Sequence, residues 1–125
     1  MFQIDPLSRI PVYEQIVMQA EQLVAREIVK PGDALPSVRS LSIQLSINPN
    51  TIQKAYTELD RRGLIVSVAG KGCFIREDIC GFLFGLRSRQ LGRFEELVRQ
   101  MIACGIPLSM AEQSLHTLYA AKKEA

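Results

Sequence analysis

A two-residue connection, Ser46-Ile47, followed at once by Asn48-Pro49, limits this chain more than any other stretch. Before it, Val38, Leu41 and Leu45 recur at helical spacing after Pro36-Ser37, residue types that suit a helix start. After it, Asn48 offers a side-chain oxygen as N-cap, and Pro49 supplies a φ already set for a first helical position. Ile52, Ala55, Tyr56 and Leu59 then share one apolar face. The spacing predicts a helix, a tight turn and a second helix over 49–62.

At about 100° per residue, the opposite face of that second helix carries Asn50, Gln53, Lys54, Thr57 and Arg61. It holds amides, a hydroxyl and two cations, with no carboxylate at its centre. Such groups suit the major groove of DNA, where amides and hydroxyls meet base edges and cations meet phosphates. Any surface helix also has a polar face, so the residues after it weigh more. Gly63 fits the glycine just past a helix end. Leu64 to Val68 and Cys73 to Arg76 are short β-prone runs around Ala69-Gly70-Lys71-Gly72, a hairpin signal with a basic tip. A helix-turn-helix followed by such a hairpin is a winged helix-turn-helix, with the wing over 64–76.

Charge agrees with this placement. The net charge is only +2, but Ser37 to Arg76 carries six cations against two carboxylates, whereas the chain from Glu77 onward balances six against six. The basic excess falls on the proposed reading segment, as a nucleic-acid binder requires.

Ahead of that segment, Met1 to Arg9 reads as extended, with Phe2 and Ile4 available to pack beneath the domain. Pro11 starts a helix in which Tyr13, Ile16, Val17, Ala20, Leu23 and Val24 recur to about Ile28. Its polar positions Glu14, Gln19, Glu21 and Gln22 read as a solvated face. Lys30-Pro31-Gly32-Asp33 is a turn that lays the next helix across the first. Ser37 either caps its own helix or touches phosphate, and both roles are compatible; Asn48 has the same two readings. Lys71 is either solvated or laid over phosphate or minor groove, while Gly70 and Gly72 serve backbone geometry first.

Several linked motifs now bear on one another: Pro31-Gly32-Asp33, Leu35-Pro36-Ser37-Val38-Arg39, Asn48-Pro49-Asn50-Thr51, Lys54-Ala55-Tyr56, Leu59, Gly63 and Gly70-Lys71-Gly72. In this order and spacing, from about Ile10 to Arg76, the chain resembles the GntR family of bacterial transcription regulators. The Asn-Pro-Asn-Thr version and the short C-terminal region look most like the YtrA subgroup. The resemblance implies that Arg39, matching the arginine of the family's L-P-S-x-R motif, contacts DNA. With the exposed-face reading it marks Ser37, Arg39, Asn48, Asn50, Thr51, Gln53, Lys54, Thr57, Gly70 and Lys71 as the candidate DNA-binding set. Resemblance to YtrA-type proteins further implies control of a transporter operon, often its own. Repression by covering a promoter is the expected output, since nothing in the chain resembles a polymerase-activating surface, and the expected partner is an inverted-repeat operator in double-stranded DNA.

The expected architecture is mainly α with a small β-hairpin: a winged helix-turn-helix DNA-binding domain over 1–76, then a two-helix dimerisation region over 77–125. From Phe82 to about Cys104 a helix places Phe84, Leu91, Phe94, Val98 and Met101 at heptad a and d positions, interrupted by Arg87. Gly105-Ile106-Pro107 ends it, and Ser109 suits the cap of a last helix containing Met110, Leu115, Leu118 and Tyr119. Two such helices are too small to enclose a large ligand. They bury an apolar face against each other and a second copy, giving a homodimer; the alternative is an intramolecular hairpin packed on the winged domain.

Cys73, Cys80 and Cys104 form no C-x-x-C pair, and no signal peptide or long apolar span is evident, so the reading is cytoplasmic with reduced thiols and no membrane partner. A redox sensor is the alternative to plain packing for the cysteines. His116 is the only histidine and has no metal-ligand spacing, and no P-loop or G-x-G-x-x-G occurs. No enzyme, metal or cofactor is expected. A protein-interaction module that kept the winged fold is the second functional reading, and whether a small-molecule effector exists is left open.

Overall fold

Pro11, with φ of −54°, is the N-cap of α1 (Val12–Ala25), whose buried stripe is Ile16, Val17, Ala20 and Val24. The helix stops three residues short of the Ile28 expected from periodicity. Glu27 turns into the left-handed region at φ 58°, and the Leu23 carbonyl accepts from both the Ile28 and Val29 amides. That reversal buries Val29 and leaves Ile28 exposed. Two glutamines of α1 hold the N-terminal arm. Gln15 accepts from the Asp5 amide at 2.9 Å and donates to the Asp5 and Ile10 carbonyls; Gln19 accepts from the Gln3 amide and donates to its carbonyl. Each side-chain amide pairs with the arm as a neighbouring strand would, and the arm buries Phe2. Gln19 is therefore a clasp rather than part of a solvated face.

The turn at 30–33 places Gly32 at φ 88° and closes through the Asp33 carboxylate on the Lys30 amide. It leads into β1 (Ala34–Leu35), which the sequence did not announce because two residues show no alternation. Ser37 accepts from the Ser40 amide at 3.0 Å and so caps α2 (Val38–Leu45). The connection to α3 (Pro49–Arg61) turns at Ser46, a non-glycine residue with φ 55°. The Ile47 amide donates to the Ser42 carbonyl, and the buried Ser42 hydroxyl donates back to the Ile47 carbonyl, which closes the turn from both sides.

Sequence reading lays α2 across α1; the principal helix contacts are instead those of α3 with α1 and with α2. The stripe Ile52, Ala55 and Leu59 is fully buried. Gly63, at φ 84°, lets the chain leave α3 with the Leu64 amide bonded to the Leu59 carbonyl. Next come β2 (Ile65–Val68) and β3 (Gly72–Ile75), antiparallel with Ile65 opposite Ile75 and Val68 opposite Gly72. β1 pairs with the other edge of β3, so the sheet has three strands in the order β1-β3-β2.

The structure, a computed structural model, describes residues 1–124, in two compact units, Met1–Leu86 and Arg87–Ala125. Every buried residue among those described lies in the first. α4 (Cys80–Ala103) starts there, with Phe82 and Leu86 buried. The remainder of α4 and α5 (Leu108–Glu124) form the second unit, joined through Gly105 at φ 85°. None of the side chains described from Arg87 to Lys122 is buried. Ser109 lies inside α5 rather than at its cap: the Met110 and Ala111 amides bond to the Pro107 carbonyl.

Candidate nucleic-acid interface

Both caps read from the sequence within the helix-turn-helix are made. The Asn48 side-chain oxygen accepts from the Asn50 amide at 2.8 Å, and Ser37 caps α2 through the Ser40 amide. Arg39 is exposed in the first turn of α2. On α3, Asn50, Gln53, Lys54, Thr57 and Arg61 are exposed and Thr51 is half-buried.

Neighbouring elements divide the outer face of α3 into flanks. On the side of the β2–β3 hairpin, Gln53, Thr57 and Asp60 line a groove of about 450 Å³ together with Ser37, Gly70 and Lys71. Five of the ten candidate residues thus meet in one place: Ser37, Gln53, Thr57, Gly70 and Lys71. Within it Gln53 Nε2 donates to Thr57 Oγ1 at 3.3 Å. Gly70, at φ 76°, lets the hairpin reverse at its tip, where the Lys71 amide bonds to the Val68 carbonyl. Arg39, Asn48, Asn50, Thr51 and Lys54 do not line this groove.

On the opposite flank α3 faces α1. Arg62 Nη1 meets Glu21 Oε2 at 3.0 Å, and its Nε meets Glu58 Oε1 at 2.8 Å. Glu21 is buried, so the reading of that residue as solvated gives way to a cross-helix ion pair. Lys54 Nζ lies 4.0 Å from the centre of the Tyr13 ring. Glu58 also receives Arg61. Hydrogen bonds from Arg61 and then Arg62 hold the Glu58 carboxyl at about 2, well below its usual 4.5. Arg61 therefore carries its charge beside a carboxylate, and counting it as a free phosphate-binding cation overstates the basic excess of α3. Among the candidate residues, the cations outside this network are Arg39, Lys54 and Lys71.

Three contributors lie outside the candidate DNA-binding set. Asp60 faces the groove. Tyr13 meets Lys54 from a distant segment. Tyr56, which periodicity placed in the core, also donates its hydroxyl to the Pro36 carbonyl at 2.6 Å. Its ring is buried, which pushes its ionisation far above the ordinary range. This bond ties α3 to the residue just before the Ser37 cap. Tyr56→Phe removes the donor and leaves a part-buried carbonyl unmet, so it should cost about 1–2 kcal/mol. Urea unfolding should show a lower midpoint at unchanged slope; an unchanged midpoint would mean the bond contributes nothing.

Residues 12–75 match the family model described as bacterial regulatory proteins, gntR family. Over 78 residues the chain is 51% identical to the HTH-type transcriptional repressor YtrA of Bacillus subtilis (strain 168), a match covering 62% of this chain and 60% of that protein. A GntR family transcriptional regulator from Listeria monocytogenes superposes with a TM-score of 0.77 at 29% identity, covering 91% of this chain and 98% of that one. The DNA-binding domain of AraR in complex with operator ORX1 superposes with a TM-score of 0.51 at 31% identity, over 60% of this chain and 92% of that one.

Proposed function

The chain belongs to the GntR family of bacterial regulatory proteins, and from that premise we propose that it is a homodimeric repressor binding an inverted-repeat operator in double-stranded DNA. Each subunit inserts α3 into a major groove, and the hairpin lies along the flanking backbone or minor groove. Residues 1–76 do the binding and 77–125 the dimerisation. Asn50 and Gln53, with Thr57 orienting the latter, read base edges. Arg39, Lys54 and Lys71 meet phosphate, while Ser37, Asn48, Thr51 and Gly70 bring backbone and caps close to the DNA strand. The observation that carries this reading is the groove in which one flank of α3 and the hairpin tip converge on Ser37, Gln53, Thr57, Gly70 and Lys71.

Dimerisation is supported by the state of the second unit. Leu91, Phe94, Leu97, Ile102, Leu115 and Leu118 are all exposed in the single chain, and a second copy offers the matching face. A two-fold pair places two reading helices about 34–36 Å apart, on successive grooves of one DNA face. Likeness to the YtrA repressor supports repression, by occupying a promoter, and the resemblance to YtrA-type regulators extends the reading to a transporter operon as the target. The protein then works in the cytoplasm, where its DNA is, and a small-molecule effector would act by changing the separation of the two heads.

Asn50→Ala and Gln53→Ala together test the reading face. Each lost base contact should cost about 1–3 kcal/mol and relax preference at its position. Lys71→Ala should instead weaken binding to all sequences alike and reduce the salt slope by about one per bound subunit. Titrations against a duplex selected from a random-sequence library, and its point variants, separate the two patterns. Unchanged preference in the double variant would show that α3 does not read the bases with this face.

A further inference from the structure

Lys54 leaves α3 toward α1, away from the hairpin, and its ammonium rests 4.0 Å from the centre of the Tyr13 ring. Tyr13 is a fixed platform: it lies in the first turn of α1, half-buried and packed against the core. Its hydroxyl is engaged with Glu14 Oε1 at 3.1 Å, so the ring is what meets the lysine. The ion pairs on α3 take Arg61 and Arg62, with Glu58 and Glu21, and leave Lys54 out. Among the described residues the ammonium thus makes no ion pair and is held by a π face, which restrains it while leaving it open to an anion.

Position then bears on role. Phosphates border the groove that a reading helix occupies, so a cation on the helix flank meets backbone while one at its centre meets bases. A lysine stem that is already restrained also has less rotamer freedom to lose on contact. We propose that Tyr13 is a positioning residue that holds the Lys54 ammonium on the α1 flank of α3 as a phosphate anchor, and that Lys54 reads no base. This rests on the DNA-binding reading above and narrows it.

The test uses the full chain in anisotropy titrations over a salt series. The probe is a duplex selected from a random library by the parent protein, with its single-base-pair variants. Lys54→Ala should lower the magnitude of the salt slope by about one per bound subunit and leave relative preference among the base variants intact. Tyr13→Phe, which keeps the ring, should bind as the parent does. Tyr13→Leu should weaken binding by about two- to fivefold, and the Tyr13→Leu, Lys54→Ala pair should bind no more weakly than Lys54→Ala alone. The proposal is overturned if Lys54→Ala relaxes discrimination at one base pair at unchanged slope, if the two losses multiply, or if Tyr13→Phe binds as weakly as Tyr13→Leu. Should melting show Tyr13→Leu to be unfolded, the Lys54→Ala slope and the Tyr13→Phe affinity still decide. A parent protein that prefers no selected duplex would bring down the DNA-binding reading itself, a result seen before any variant is made.

Discussion

Phe94→Asp should convert the protein to monomers, or to aggregates that expose the seam, and lower affinity for a paired operator by about 10²–10⁴-fold. Phe94 sits on α4 with Leu91, Val98 and Met101 at a and d spacing, and Phe84 begins the same seam two turns earlier. Leu91 and Phe94 are exposed and Val98 and Met101 only half-buried in the single chain. Burying one such side chain is worth about 1.5–3 kcal/mol, and a two-fold interface contains each side chain twice. A carboxylate at the seam would lose that gain and meet its own symmetry mate. The winged unit should remain folded, because its core of Ile16, Leu41, Ile52 and Leu59 lies wholly within Met1–Leu86. Weak single-site binding should therefore survive. Sedimentation beside the parent protein decides the matter. A variant that stays dimeric with undiminished operator binding would move the interface elsewhere, Leu115 and Leu118 of α5 being the next candidates.

Arg62→Ala should be the most destabilising polar substitution in the winged unit. The guanidinium joins Glu21 of α1 to Glu58 of α3, and Glu21 is 6% exposed. Breaking a fully buried pair costs about 3–5 kcal/mol; the Arg62 side chain keeps a quarter of its surface, so about 2–3 kcal/mol is expected here. Glu21→Gln added to Arg62→Ala should recover part of the loss, since the buried charge is then gone. Urea midpoints for the two single variants and the pair measure this, and strict additivity would show that the contact carries no energy. The same network has a pH signature. The Glu58 pKa is depressed to about 2, so its share of stability is fully present above the ordinary 4.5 and is lost as pH falls from there toward 2. The stability difference between the parent and Glu58→Gln should accordingly shrink across that window. A constant difference would mean that Glu58 is not held by its arginines.

These side chains also mark where sequence reading succeeds. The turn between α2 and α3 and the hairpin were legible because their signals are local: Ser37 and Asn48 as caps, Pro49 at the helix start, Gly63 at the exit, Gly70 at the tip. Periodicity identified the buried stripe of α3 for the same reason. It says which face is apolar but not what stands opposite the polar one. Glu21 and Gln19 read as solvated from sequence because Arg62 and Gln3, which meet them, are brought there only by the fold. Tyr13 with Lys54, and Tyr56 with Pro36, are likewise products of tertiary packing. Glu58 is different. Its spacing of three and four from Arg61 and Arg62 was visible in the sequence, and counting charges singly hid the pairing. Of the candidate site, half converges on one groove and half does not, a division that no spacing rule supplies.

The central claim is that this protein recognises DNA sequence through α3. The most direct measurement is the ratio of its affinities for a duplex selected from a random library and for the same duplex scrambled, both at one physiological salt concentration. The account predicts a ratio of at least about 10³, with the selected sequences showing two-fold symmetry and half-sites about one helical turn apart. Equal affinities, both falling steeply with salt, would contradict it and leave only a basic surface.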